Sequence, residues 1–204
     1  MPLVAISQWL RRKTAWKQFW TNTSIFLVLQ AAIVVLKLRL SALAPELDPP
    51  LDYRYKGYSP EEAMAVMGAY SGPARTTAAV MEITDCIYSF AYAALFSGLL
   101  GVSIAATRAP EALHLLNLVP LATAVVDVFE NCLMLVLLAG PRADAARAVV
   151  AASALKWQLL MATGSIVFGT GMYCVVKGGR GGGGKGRRGG EESAAKARKA
   201  TRRA

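Results

Sequence analysis

Long stretches without a charged residue constrain this chain more than any other feature of its sequence. Residues 18–36, 86–107 and 157–176 form mostly apolar, charge-free runs of 19, 22 and 20 residues. Because an α-helix rises about 1.5 Å per residue, each run is long enough to cross about 30 Å of hydrocarbon. Length alone therefore predicts three membrane-spanning helices.

A fourth apolar segment, residues 112–139, contains two acids, Asp127 and Glu130. Carboxylates are costly in lipid, so this segment can span only if both acids face the interior of a helix bundle. Pro120 is expected to kink the segment near its start. An apolar share of 54% and a mean hydropathy of +0.37 are high for a soluble domain. All four segments are apolar on nearly every side, which argues against a soluble four-helix bundle.

The predicted fold is all-α, a four-helix transmembrane bundle over residues 20–177 with one short helix outside the membrane. Its spans are expected at about residues 20–39, 80–107, 112–139 and 148–176. In the connecting loop, residues 40–79, Ser59 precedes Pro60 and two acids, which is the pattern of a helix start. The second long helix is expected to begin at Pro73, so that its first turns protrude from the bilayer.

Both ends of the chain are basic. Residues 1–19 contain four Lys/Arg and no acid, which predicts an amphipathic helix at the membrane surface, with a transit peptide as the alternative. Residues 178–204 are rich in Gly, Arg and Lys and are predicted to be disordered. Ten cations and two acids in residues 177–204 supply +8 of the formal net charge of +10. By the positive-inside rule, an even number of spans then places both termini in the cytosol.

The lipid bilayer is the first partner that this sequence predicts. A polybasic segment directly after a spanning helix typically contacts anionic lipid headgroups, and we expect this of the tail. Nucleic acid is a weaker candidate, because the tail has no aromatic residue on which a base could stack.

Polar residues in three of the spans are expected to meet at one depth. Asp127, Glu130 and Asn131 share one helical face by their i, i+3 and i+4 spacing. When the helices are folded back on their short connections, Tyr88 lies level with Glu130, and Lys156 lies level with Asp127. The predicted ligand-binding or ion-binding cluster is Asp85, Tyr88, Tyr92, Asp127, Glu130, Asn131 and Lys156.

Three acids and one lysine in this cluster would carry a charge of about −2 if all were ionised, which is costly in a low dielectric. Either a carboxyl group stays protonated, with Glu130 the first candidate, or a cation binds. The cluster thus suits a small-ligand, cation or proton site. Two alternatives remain open: the polar groups only hold the helices together by hydrogen bonds, or the protein is an enzyme that acts on a lipid.

No metal centre or organic cofactor is predicted. His114 is the single histidine, and the three cysteines, Cys86, Cys132 and Cys174, lie in separate spans without a CxxC pair. We therefore expect three buried free thiols. The sequence contains no Walker loop, GxSxG or HExxH pattern, so whether it is an enzyme stays open.

Several of these residues together resemble a known group of proteins. The residues are Tyr58-Ser-Pro-Glu-Glu-Ala63, Arg75, Asp85-x-x-Tyr88-x-x-x-Tyr92, Pro120 and Asp127-x-x-Glu130-Asn131. They are similar to motifs of four-span membrane proteins from bacteria and eukaryotic microbes that have no assigned activity. The resemblance covers about residues 50–140. It implies the four-span architecture and the same acids, and it implies no reaction.

Overall fold

The computed structural model describes residues 4–8, 16–106 and 110–182, and these ranges are helical without a β-strand. The α-helices are α1 (Trp16–Leu43), α2 (Pro60–Ala69), α3 (Gly72–Ala106), α4 (Val119–Ala139) and α5 (Ala143–Gly182). Shorter 3₁₀ segments cover Pro45–Leu47, Leu51–Tyr53 and Glu111–Leu118. The predicted all-α class and the short helix between the first two long helices are confirmed.

Four helical segments are long and apolar enough to cross a membrane. They are Gln18–Leu43, Gly72–Ala105, Ala112–Ala139 and Ala143–Cys174. Each carries large apolar side chains that are more than half exposed, such as Val28, Phe90, Phe129 and Phe168. Outward-facing apolar surface on every long helix is what a lipid environment requires, and it suggests a multi-pass membrane protein.

Helix α3 lies in the middle of the bundle. It packs against α1, α4 and α5, and α4 also packs along α5. Among the described residues, α1 has no extended contact with α5. In this bundle α3, α4 and α5 therefore pack against one another, and α1 packs on α3 alone among the described parts of the long helices. A gap is left between α1 and α5.

The segment 44–71, here called the cap, covers the end of the bundle where α1 ends and α3 begins. Ser59 caps α2 as predicted, because its hydroxyl accepts a hydrogen bond from the backbone N–H of Glu62 at 3.1 Å. Leu51 of the cap is buried in one apolar cluster with Met134 of α4 and Val149 of α5. The cap is thus part of the bundle core and covers the first turns of α3, which were expected to protrude.

Helix α4 begins later than predicted. Residues 111–118 form a 3₁₀-helix, and α-helical geometry starts at Val119. Pro120 explains the change, because it has no N–H to bond the carbonyl of Leu116, four residues earlier. That carbonyl instead accepts from the N–H of Val119, a 3₁₀ bond. Pro120 therefore lies where the helix type changes, and the kink itself stays a prediction.

The two ends of the chain differ in part from the prediction. Residues 4–8 form a helical turn that packs on the segment before α4: the Ser7 hydroxyl donates to the carbonyl of His114 at 2.9 Å, and Asn117 donates to the Ser7 carbonyl at 3.2 Å. Helix α5 continues to Gly182, although disorder was expected from residue 178, because adding a residue to a formed helix needs no new nucleation. The rest of the predicted tail lies outside the described residues.

Arg54 holds the cap together. Its guanidinium donates to the carbonyls of Pro49 at 2.9 Å and Leu47 at 3.2 Å, and it pairs with Glu62 of α2. One side chain therefore joins both 3₁₀ segments to α2.

We expect Arg54→Met to lower the free energy of unfolding by about 1–3 kcal/mol, because two backbone acceptors lose a charged donor. Amide hydrogen exchange in residues 44–58 should become faster while α3 and α4 keep their protection. The exposed Arg39→Met is the control. Unchanged exchange in the cap of the Arg54 variant would show that another contact holds it.

Candidate functional site

Lys156 of α5 is the centre of the polar cluster. Its ammonium nitrogen lies 2.5 Å from Glu130 Oε2 and 3.2 Å from Asp127 Oδ1, and it also pairs with Asp52 of the cap. Only 3% of Lys156 is exposed. A buried ammonium is tolerated only when anions and hydrogen-bond acceptors replace its water, and three carboxylates do so here.

Asp52 reaches this depth because the cap folds inward. It lies in the 3₁₀ segment Leu51–Tyr53, and Leu51 beside it is 1% exposed, so that the apolar side chain anchors the turn in the core. The sequence interpretation placed Asp52 outside the membrane and missed it. The available signal was an apolar leucine directly after Pro49-Pro50 and directly before Asp52.

Asp127 joins α4 to both neighbouring helices. Its Oδ1 faces Lys156, and its Oδ2 accepts hydrogen bonds from Ser89 at 2.7 Å and Tyr92 at 3.1 Å, both on α3. The predicted equal depth of Asp127 and Lys156 is confirmed by this contact. Asp127 thus has partners on both oxygens.

Asp85 is held by a different partner from the one expected. The sequence placed it near the shared lysine, whereas its Oδ2 accepts from the Asn131 amide at 2.9 Å. Lys156 forms its ion pairs with Asp52, Asp127 and Glu130 instead. The hydrogen bond from Asn131 engages one of the two Asp85 oxygens.

Tyr88 also differs from the prediction. It was expected to face Glu130, but its hydroxyl donates to Gln30 of α1 at 2.6 Å. Helical phase explains this. Tyr88 follows Asp85 by three residues, a rotation of about 300°, so its side chain points about 60° away from that of Asp85. Tyr92 follows Asp85 by seven residues and points within about 20° of it. Tyr88 therefore links α3 to α1, and Tyr92 links α3 to α4.

Glu82 adds a further acid to the site. It lies on α3 one turn from Asp85, is 2% exposed and interacts electrostatically with Asp52 and Asp85. The cluster predicted from the sequence did not include it. Five carboxyl groups therefore accompany one lysine, which makes the charge of the fully ionised cluster −4 rather than the expected −2. The need for bound protons or a bound cation is correspondingly greater.

The carboxylates around Lys156 also have the arrangement of a possible metal site. Asp52, Asp127 and Glu130 each offer an oxygen, and these atoms lie within 4.8 Å of one another. The Lys156 ammonium pairs with all three acids. A metal ion would have to displace this ammonium, so the donor set fits the lysine better than a metal. The three cysteines are free thiols, as predicted, but the expected burial is wrong: Cys86 and Cys174 are half-buried and Cys132 is exposed.

A cavity of about 220 Å³ lies beside the cluster, between the two helices that do not pack together. Asp52, Asp85, Asp127 and Lys156 line it, as do the rings of Tyr53, Tyr88, Tyr92, Phe96 and Trp157. Helix α1 contributes Gln30 and Ile33. The cavity thus combines excess negative charge with aromatic surface on the open side of the bundle.

Comparison with known protein families, curated proteins and solved structures returns no match. The resemblance to four-span microbial membrane proteins therefore stays a prediction. Any functional conclusion for this chain depends on its own geometry.

We expect Lys156→Met to destabilise the protein by about 3–5 kcal/mol, because it leaves three carboxylates without their cation. Adding Glu130→Gln to this variant should restore part of the loss by removing one charge. Unfolding in mixed detergent micelles measures both, with the exposed Arg142→Met as control. A Lys156→Met protein as stable as the parent would show that the carboxylates do not depend on the lysine.

Proposed function

We propose that this is a multi-pass membrane protein that binds an organic cation with an apolar tail, such as an amine-bearing amphiphile, in the cavity between α1 and α5. One observation carries the proposal: Asp85, five aromatic rings and a lateral gap occur together in one cavity.

Four of the five acids of the site divide into two groups by their partners, and the fifth, Glu82, does not line the cavity. Asp52, Asp127 and Glu130 surround Lys156. Asp85 receives one hydrogen bond from a neutral amide and lines the cavity. Its charge is the one that a ligand ammonium would neutralise, so Asp85 is the proposed anionic contact.

Aromatic rings around a carboxylate favour a cationic group over a neutral polar one. The ring faces attract a cation within about 6 Å by their quadrupole. Tyr53 already illustrates this, because the Lys37 ammonium lies 3.8 Å from the centre of its ring. Tyr88, Tyr92 and Trp157 offer further ring surface in the cavity.

The size of the cavity sets which part of a ligand fits. At about 220 Å³ it is smaller than the roughly 300–1,000 Å³ of sites for whole drug-sized ligands. It suits an ammonium headgroup, while the tail leaves through the gap between α1 and α5. Entry from the bilayer is consistent with the apolar outer surface of these helices.

A structural role is the second candidate, and the Lys156 network favours it for part of the cluster. Three carboxylates on one ammonium join the cap, α4 and α5 and need no ligand. We assign this group to structure and Asp85 to binding. A lipid-modifying enzyme would use the same lateral gap, and a chemically altered ligand recovered after incubation would point to that alternative.

The binding proposal predicts that dodecylamine raises the unfolding temperature of the purified protein, whereas dodecanol, with the same chain and no charge, does not. Asp85→Asn should weaken amine binding by at least about tenfold, because the ammonium loses a charged acceptor. Asp144→Asn removes an exposed acid and is the matched control. Equal binding of the alcohol and the amine, or unchanged affinity in Asp85→Asn, would contradict a cation site.

We also propose that both termini face the cytosol, that the cap faces the opposite side, and that the basic tail contacts anionic headgroups. The positive charge of residues 177–204 supports this orientation. In a cysteine-free background, Ser193→Cys should react with an impermeant maleimide only when the reagent reaches the cytosol. Ser71→Cys, in the exposed part of the cap, should react only from the other side. Labelling of both from one side would refute the topology.

A further inference from the structure

A second concave surface lies between the cap and α5. This groove has a volume of about 550 Å³ and is lined on one side by residues 55–58. On α5 the lining extends from Val150 to Met161, a length of about 16 Å. Met161 at the far end is 71% exposed, so the groove runs from the edge of the cap onto the apolar surface of the bundle.

Two polar atoms in the wall of this groove lack a hydrogen-bond partner although they are buried. They are the hydroxyl oxygen of Tyr58 and the indole nitrogen of Trp157. The Tyr58 residue is 8% exposed. Burial, and then the charge of Glu130, raises the pKa of Tyr58 above its ordinary value, so its hydroxyl keeps its proton at neutral pH. An indole N–H can only donate, so Trp157 offers a donor that needs an acceptor oxygen, and the Tyr58 hydroxyl, which has Ser153 beside it, offers a second.

The charge of the groove is opposite to that of the cavity between α1 and α5. The exposed Lys56 lies in the lining of the groove. No acid is present among the lining residues, which come from 55–58 and from 150–161. Trp157 belongs to both linings and separates the two sites. One site is therefore suited to cations and the other to anions.

We propose that this groove is a phospholipid site, in which Lys56 and the donors of Tyr58 and Trp157 bind phosphate or ester oxygens while an acyl chain follows α5 past Met161. The combination of donors at one end and exposed apolar surface at the other distinguishes a lipid from a free phosphate ion. The site can be tested separately from the proposed cation cavity, because Lys56 lines only the groove, although the two sites share Trp157.

Native mass spectrometry of the delipidated full-length protein tests this site with three probes: phosphatidylglycerol, a diacylglycerol with the same acyl chains, and inorganic phosphate. We expect one phosphatidylglycerol to be retained and neither of the other probes. Lys56→Gln should lower the retained fraction by about fivefold, the effect of one cation near a lipid surface. Arg142→Gln, an exposed cation at the same end of the bundle, should leave it unchanged.

Trp157→Phe gives a second test, because it keeps an aromatic ring and removes only the indole donor. It should also weaken phosphatidylglycerol retention, and Lys56→Gln should leave dodecylamine binding unaffected. Equal retention of diacylglycerol, retention of inorganic phosphate alone, or equal effects of Lys56→Gln and Arg142→Gln would each overturn the proposal.

Discussion

A single buried ammonium, that of Lys156, determines how the parts of this protein fit together. A charge taken out of water must be matched by groups brought to it, and here the cap supplies Asp52 while α4 supplies Asp127 and Glu130. This requirement sets the depth of α5 against α4 and draws the cap into the end of the bundle. Such a network specifies one arrangement of the helices, whatever its net contribution to stability.

The remaining polar contacts extend this arrangement to the other helices. Ser89 and Tyr92 tie α3 to Asp127, and Tyr88 ties α3 to Gln30 of α1. Helix α1 is thus attached through α3 and stays apart from α5. The gap between them is a consequence of this connectivity, and the cavity that Asp85 lines lies between these two helices.

The sequence was sufficient for the helices and for much of the cluster. Charge-free length identified the apolar helices, and helical phase with equal depth from the turns placed Asp127 opposite Lys156. Helical phase also explains why Tyr88 does not face Glu130. It follows Asp85 by three residues, a rotation of about 300°, and this turns its side chain toward α1. Helical periodicity could not place Asp52, because this residue lies in the loop between two helices. Its position follows from the tertiary packing of Leu51 beside it. The start of α4 was also not predicted from the sequence. The effect of Pro120 there depends on which N–H bonds the carbonyl of Leu116, and the structure shows that it is the N–H of Val119.

Trp157 lines both the cavity between α1 and α5 and the groove beside the cap, and the lysine network lies next to both. The account as a whole therefore depends on the contact between Asp52 and Lys156 more than on either proposed ligand. A double-mutant cycle of Asp52→Asn and Lys156→Gln, measured by unfolding in mixed micelles, tests that contact directly. The account predicts a coupling free energy of at least about 1.5 kcal/mol, because each group is the buried partner of the other. Additive effects, with a coupling near zero, would contradict a cap acid within the bundle.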